Sequence, residues 1–293
     1  MDAHANMIIT GCGGFLGRKL VLAAQESLGA KNVLGIPGRS QGGPSLDEAG
    51  ALVSYIRTQD FEIYRGTILI HAASEILFND LNSSIRNIRA SLNLIDFASI
   101  FDLQRIVFIS SVAALQKNSG LTDWSHHQSF DSVYGASKAV GELCFTHLRP
   151  NAAVLNIRLG GVVGVQDSPS MFWNKLLKSA ATKTYDHFSV DRLRSYRNFV
   201  SVNDAASAVV HLAQTDVVGN HTLSSFEKIS AGEFVKCLTS LRPGLQISIK
   251  DDGFEDHTIH PPSSVFENYL QPLLPQIVKL IDGFEADANR HSL

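Results

Sequence analysis

Two hydrophobic rhythms alternate along the 293-residue chain. Short unbroken apolar runs recur at residues 7–9, 32–36, 67–73, 105–109 and 153–157. Runs of this length predict strands buried on both faces of a parallel sheet. Between them the apolar spacing turns helical: Leu81, Ile85, Ile88, Leu92 and Ile95 share one face. Residues 18–24 and 132–148 also read as helices, and Asn203-Asp204 is positioned to cap a helix over 205–213 after the short strand Phe199-Val200-Ser201-Val202. Residues 41–66 fit either a short strand at Leu52-Val53-Ser54-Tyr55-Ile56 or a helix starting near Ser45. Residues 160–197 are looser, and prolines between 261 and 275 separate short C-terminal helices. Strands alternating with helices predict an α/β fold built on a doubly wound parallel sheet.

Composition narrows the class without changing the fold. Hydrophobic residues at 44% and charged residues at 18% describe an ordinary globular chain. A net charge of −3 without a basic cluster offers no footprint for nucleic acid. No apolar run approaches the ~20 residues of a membrane helix. Met1-Asp2-Ala3-His4-Ala5-Asn6 lacks the regions of a signal peptide. Cys12, Cys144 and Cys237 are far apart and odd in number, which fits reduced thiols better than disulfides or a metal site. A cytoplasmic protein without a resident metal is expected.

The first apolar run ends in Thr10-Gly11-Cys12-Gly13-Gly14-Phe15-Leu16-Gly17, followed by a helix. Free N–H groups at a helix start and the positive end of its dipole face an anion there. Within a βαβ unit, three glycines serve a tight turn, close approach to a pyrophosphate and close helix–strand packing. The second strand then ends Ile36-Pro37-Gly38-Arg39-Ser40, with no acid before Asp47. A carboxylate at that position would receive the ribose 2′-hydroxyl of NAD, whereas an arginine suits the 2′-phosphate of NADP. Arg39 and Ser40 therefore favour NADP(H), with NAD(H) as the alternative.

A second set carries chemistry. Tyr134 and Lys138 are four residues apart on one helix face, and Ser111 ends a sheet strand. A tyrosine near its ordinary pKa of ~10 is a poor acid/base at neutrality. A neighbouring ammonium would lower it, and Ser111 could hydrogen-bond the same substrate oxygen.

Taken in order, these motifs resemble the extended short-chain dehydrogenase/reductase superfamily, the NAD-dependent epimerases/dehydratases. The likeness runs from residue 7 to about residue 235. Thr10 to Gly17 matches the TGxxGFLG loop, His71-Ala72-Ala73 the HxAA strand end, and Asn87 the helix asparagine that supports the active site. Ser111 matches the catalytic Ser/Thr, Tyr134 and Lys138 match YxxxK, and residues 197–206 look like the RDFVHVDDVA segment of nucleotide-sugar members. The resemblance implies that Gly11, Gly14, Phe15, Leu16, Gly17 and Ala72 hold the dinucleotide. Tyr134 would act as acid/base with Ser111 and Asn87 in support, Lys138 would also hold the nicotinamide ribose, and Arg197 would meet a nucleotide diphosphate. It also implies a Rossmann domain over 1–160 and 198–215, and a smaller discontinuous substrate-binding subdomain over 161–197 and 216–293. Relatives commonly dimerise through the helices carrying Asn87 and Tyr134.

Departures shape the expected activity. The Asp-Glu pair that follows the catalytic residue in 4,6-dehydratases is replaced by Val112-Ala113. The substrate asparagine of the family's Arg-Tyr-Phe-Asn gives way to Arg158-Leu159-Gly160-Gly161, and the acidic end of strand two typical of C4 epimerases is missing. The leading expectation is an NADPH-dependent reductase of a nucleotide-linked keto-sugar. A nucleotide-sugar epimerase is the alternative, and a non-catalytic dinucleotide sensor the reading from another class. Asp123, Trp124, His126 and His127, shortly before Tyr134, could touch substrate or lie in a solvated loop.

Overall fold

A computed structural model describes residues 6–77, 79–115, 130, 132–148, 152–165, 171–184, 187–250 and 262–290. The chain divides into two compact units, Met1–Leu159 with Ala206–Thr222 and Gly160–Ala205 with Leu223–Leu293. The first opens with β1 (Met7–Thr10), α1 (Phe15–Leu28), β2 (Val33–Ile36), α2 (Ala51–Ile56) and β3 (Ile68–His71). It continues through α3 (Leu81–Ile100), β4 (Arg105–Ser111), α4 (Val133–Leu148) and β5 (Ala153–Leu159). Next come β6 (Val162–Val163), α5 (Phe172–Thr182), β7 (His187–Val190), β8 (Tyr196–Arg197) and β9 (Val200–Ser201). After α6 (Val202–Ala213), β10 (Gly219–Leu223) joins the main sheet, followed by β11 (Ile229–Ser230), α7 (Ala231–Leu241), β12 (Gln246–Ile249) and α8 (Leu273–Arg290). No helix among the described residues is long and apolar enough to cross a membrane.

The main sheet has the order β10-β5-β4-β3-β1-β2, and its neighbours from β5 to β2 pair in parallel. Met7 lies opposite both Val33 and Ile68, and Ile68 opposite Arg105, so the strand ends bearing Thr10, Ile36, His71 and Ser111 share one edge. The chain steps from β1 outward to β2, then returns to the other side of β1 for β3. That reversal opens a crevice at the carboxyl ends of β1 and β3, where ligands of such sheets bind.

One core cluster joins Ile8, Leu69, Ile106 and Phe108 of the strands to Leu94, Phe97 and Ala98 of α3 and Phe145 of α4. Leu52 and Ile56 of α2 enter the same cluster. Their spacing of four puts both on one helix face, which resolves the ambiguity of residues 52–56 in favour of a helix. Asp80 caps α3 by accepting from the N–H groups of Asn82 (3.0 Å) and Ser83 (3.2 Å).

The start of α6 differs from expectation. The helix begins at Val202, and the Ser201 hydroxyl, rather than Asn203 or Asp204, caps it by accepting from the Asp204 N–H at 3.1 Å. β9 ends at Ser201, so the serine occupies the half-extended position that a cap requires. Asp204 instead accepts from the Gln271 N–H (3.0 Å) and Gln276 Nε2 (2.8 Å). At the other end of α6, buried Arg105 donates to the carbonyls of Leu212 (2.9 Å), Ala213 (3.2 Å) and Val217 (2.7 Å).

Candidate active site

The glycine loop is built by close approach. Gly11 takes φ +77°, and its N–H donates to the Ile36 carbonyl at 2.8 Å. A Cβ on Gly11 would come 2.7 Å from the Ala73 backbone, and one on Gly17 would come 1.9 Å from the Gly11 carbonyl oxygen. Side chains there would prise the loop off β3 and α1. Gly11, Gly14, Arg39, Ser40, Ala72 and Asn87 line one cavity of about 780 Å³. Phe15, Leu16 and Gly17 instead form the first turn of α1. The volume and the side-chain-free floor fit an extended dinucleotide, with the start of α1 available to its pyrophosphate.

Two features of this cavity were hidden in the sequence. Asp47, remote from the strand end along the chain, lines the same cavity as Arg39 and Ser40. Gln41 lies across Gly13, where a Cβ would meet its side-chain amide at 1.5 Å. Arg39 sits in a short 3-10 turn, 4.0 Å from Glu48, with the two side chains 73% and 64% exposed. An ion pair that open holds the arginine weakly and leaves it able to turn to another anion.

The second set assembles around the end of β4. The Ser111 hydroxyl accepts from the Ala113 N–H at 3.1 Å and caps a single 3-10 turn. A Cβ on Gly135 would lie 2.2 Å from the Ala113 carbonyl oxygen, so α4 can press its first turn onto this one. The Tyr134 side chain thereby lies near the hydroxyls of Ser111 and Ser74, and buried Ser74 Oγ makes no hydrogen bond. Burial pushes the Tyr134 pKa up, and the nearby Ser74 and Ser111 hydroxyls pull it partly back. The depression expected from Lys138 is not found: burial sets the direction, and the lysine is not among the groups that shift Tyr134.

Lys138 is 3% exposed, donates to the Ile109 carbonyl at 2.8 Å, and lies 5.8 Å from the Tyr134 ring centre. Burial lowers its pKa to about 7, against the opposing charge of Glu142. His71, wholly buried, pairs with the Thr10 hydroxyl at 2.8 Å and stacks on Phe108. Its pKa falls to about 3, first through burial and then through the Lys138 charge. Asn87 clamps the Glu75 backbone, accepting from its N–H (2.9 Å) and donating to its carbonyl (3.0 Å). It thus fixes the loop that carries Ser74. That serine was missed in the sequence, although it directly follows His71-Ala72-Ala73.

Ser111, Tyr134 and Lys138 are brought together, with Asn87 acting one residue away through the loop. The arrangement can hold an oxygen between two or three hydroxyls and pass a proton to it. Arg197 belongs to the other unit, on β8, where it lines a cavity of about 190 Å³ with Phe172, Trp173 and Arg192. Asp123, Trp124, His126 and His127 lie outside the described residues.

Comparisons with known proteins agree with this architecture. A family profile described as the NAD dependent epimerase/dehydratase family matches residues 7–223. Among solved structures, L-threonine dehydrogenase from Phytophthora infestans aligns with a TM-score of 0.74 at 16% identity, covering 97% of this chain and 100% of the other. UDP-N-acetylglucosamine 4-epimerase from Methanobrevibacter ruminantium M1, in complex with UDP-N-acetylmuramic acid, aligns at 0.72 and 19%, covering 97% and 99%. MoeE5 in complex with UDP-glucose and NAD aligns at 0.72 and 19%, covering 97% and 100%. No curated protein matches the chain. With the glycine cradle, the switch-point cavity and the profile in agreement, the chain belongs to the NAD dependent epimerase/dehydratase family.

Proposed function

We propose that the protein is an NADPH-dependent reductase of a nucleotide-linked keto-sugar. The observation that carries this reading is Tyr134 placed near Ser111 and 5.8 Å from buried Lys138, with Val112-Ala113 following where a dehydratase needs carboxylates. The dinucleotide supplies the hydride. Tyr134 gives the proton to the carbonyl oxygen while Ser111 and Ser74 hydrogen-bond it, and Lys138 holds the nicotinamide ribose. N–H groups at the start of α1 face the pyrophosphate, and Arg39 and Ser40 the 2′-phosphate. Arg197 takes the substrate diphosphate as a guanidinium fork. Solved structures of similar fold hold UDP-glucose or UDP-N-acetylmuramic acid, which supports the substrate class. Exposed Leu81, Ile85 and Leu92 of α3 with Val140 and Leu143 of α4 support a homodimer.

Asp47 in the dinucleotide cavity favours a second reading, an NAD-dependent epimerase, because a carboxylate there can accept from a ribose hydroxyl. Incubation with a panel of nucleotide keto-sugars decides between them. Stoichiometric oxidation of NADPH, faster than of NADH, is the expected result. Epimer formed without net oxidation establishes the second reading. Tyr134→Phe is expected to lower kcat by about 10²- to 10⁴-fold in either case.

A further inference from the structure

Beyond β1 the main sheet is one strand short. Doubly wound dinucleotide folds commonly run 3-2-1-4-5-6, with a third strand flanking the second. Here β2 is the edge strand, and residues 37–67, all of them described, contain no strand. The chain leaves β2 through the turn Arg39–Gln41 and then turns back on itself. The Gly43 N–H donates to the Gly38 carbonyl at 3.1 Å, and a Cβ on Gly43 would come 1.9 Å from the Pro37 carbonyl oxygen. Pro44 to Asp47 follow as a half-buried strap between Gly42 and Gly50, which take φ +81° and +73°.

Two contacts fix the strap. Leu46 packs against the core cluster, and its carbonyl accepts from Asn93 Nδ2 of α3 at 2.9 Å. Ala90, about one turn before Asn93, lines the same cavity of about 780 Å³ as Pro44 and Leu46. The strap and α3 are thus two walls of that cavity, tied to each other by one hydrogen bond. The sheet order puts β2 and β3 on opposite sides of β1. A nicotinamide has to reach Tyr134 beside the end of β4, and the pyrophosphate the glycine loop, so the adenosine end falls on the β2 side.

We propose that this strap stands in for the third strand as the wall of the adenosine subsite. Pro44 offers its ring to the adenine, Ala90 leaves room for it, and Asn93 is the positioning residue that holds the strap in place. The inference rests on the reading of the cavity as a dinucleotide site, and it holds for NADP(H) and NAD(H) alike because both carry adenosine.

The test uses AMP and NMN, the two halves of the dinucleotide, titrated separately into isotope-labelled protein and followed by amide NMR. In the unaltered protein AMP is expected to move the amides of Ser45, Leu46 and Asp47, and NMN to leave them still. Asn93→Ala frees the Leu46 carbonyl, and Pro44→Gly removes the ring and its fixed φ. Each is expected to weaken AMP about tenfold and to leave NMN unchanged; unchanged NMN binding also reports that the variant is folded. Strap amides unmoved by AMP, or an AMP affinity unmoved by Pro44→Gly, overturn the wall. An AMP affinity unmoved by Asn93→Ala overturns its anchor, and an equal fall for AMP and NMN makes the strap a general support and overturns the subsite. Amides that respond to neither half nor to intact NADP(H) or NAD(H) remove the dinucleotide reading itself.

Discussion

His71 shows how one buried group couples the candidate site to solution pH. Its pKa is held at about 3, against 6.5 when exposed. Below pH 6.5 the unfolded chain takes up a proton that the folded protein refuses until about pH 3. The contribution of neutral His71 is therefore complete above pH 6.5 and is lost as pH falls from there toward 3, with a limiting slope of about 1.4 kcal/mol per pH unit. Urea unfolding at stepped pH should show a shallower acid decline for His71→Gln; an equal decline would remove this account. At the same scale, the motif residues Gly11, Ser111, Tyr134 and Lys138 were legible because their chemistry is tied to fixed spacing. Ser74, Gln41 and Asp47 were not, because each earns its place through a partner distant in sequence. The direction of the Tyr134 shift was also out of reach, since spacing reports the neighbour and not the depth of burial.

Among elements, α6 depends on a residue far from it. Arg105 projects from the start of β4 and donates to three carbonyls at and beyond the end of α6, with sequence separations up to 112. Arg105→Met strands those acceptors and is expected to cost about 2–3 kcal/mol, read as a lower urea midpoint with an unchanged m value. A loss below about 0.5 kcal/mol would mean that water replaces the guanidinium without penalty. Most strands and the long helices were readable as elements, because buried parallel strands and amphipathic helices leave different periods. Residues 52–56 were ambiguous because a run so short fits both periods, and packing of Leu52 and Ile56 into the core decided it. The cap of α6 was misread for a related reason: Ser201, Asn203 and Asp204 are all good caps, and the strand end selects among them.

For the molecule as a whole, a ligand of the glycine cradle should raise stability by mass action. At a hundredfold excess over its Kd, NADP(H) or NAD(H) is expected to add about 2.7 kcal/mol to the unit that binds it. The measurement is thermal unfolding with and without each dinucleotide, the larger shift identifying the preferred one. Gly17→Val, whose Cβ would meet the Gly11 carbonyl, should abolish the shift; a retained shift would place the binding site elsewhere. By itself the sequence determined the family, the α/β class, the glycine-rich turn and the grouping of Ser111, Tyr134 and Lys138, since each is written in residues a few positions apart or in one ordered series of motifs. Tertiary structure alone decided that Ser74 lies near Tyr134, that Asp47 lines the cavity at the glycine loop, and that Glu142 is held by Arg158 and Ser110. Those contacts join separate strands, loops and helices, and only the order of strands in the sheet and the depth of burial set which side chains meet and how they hold their protons.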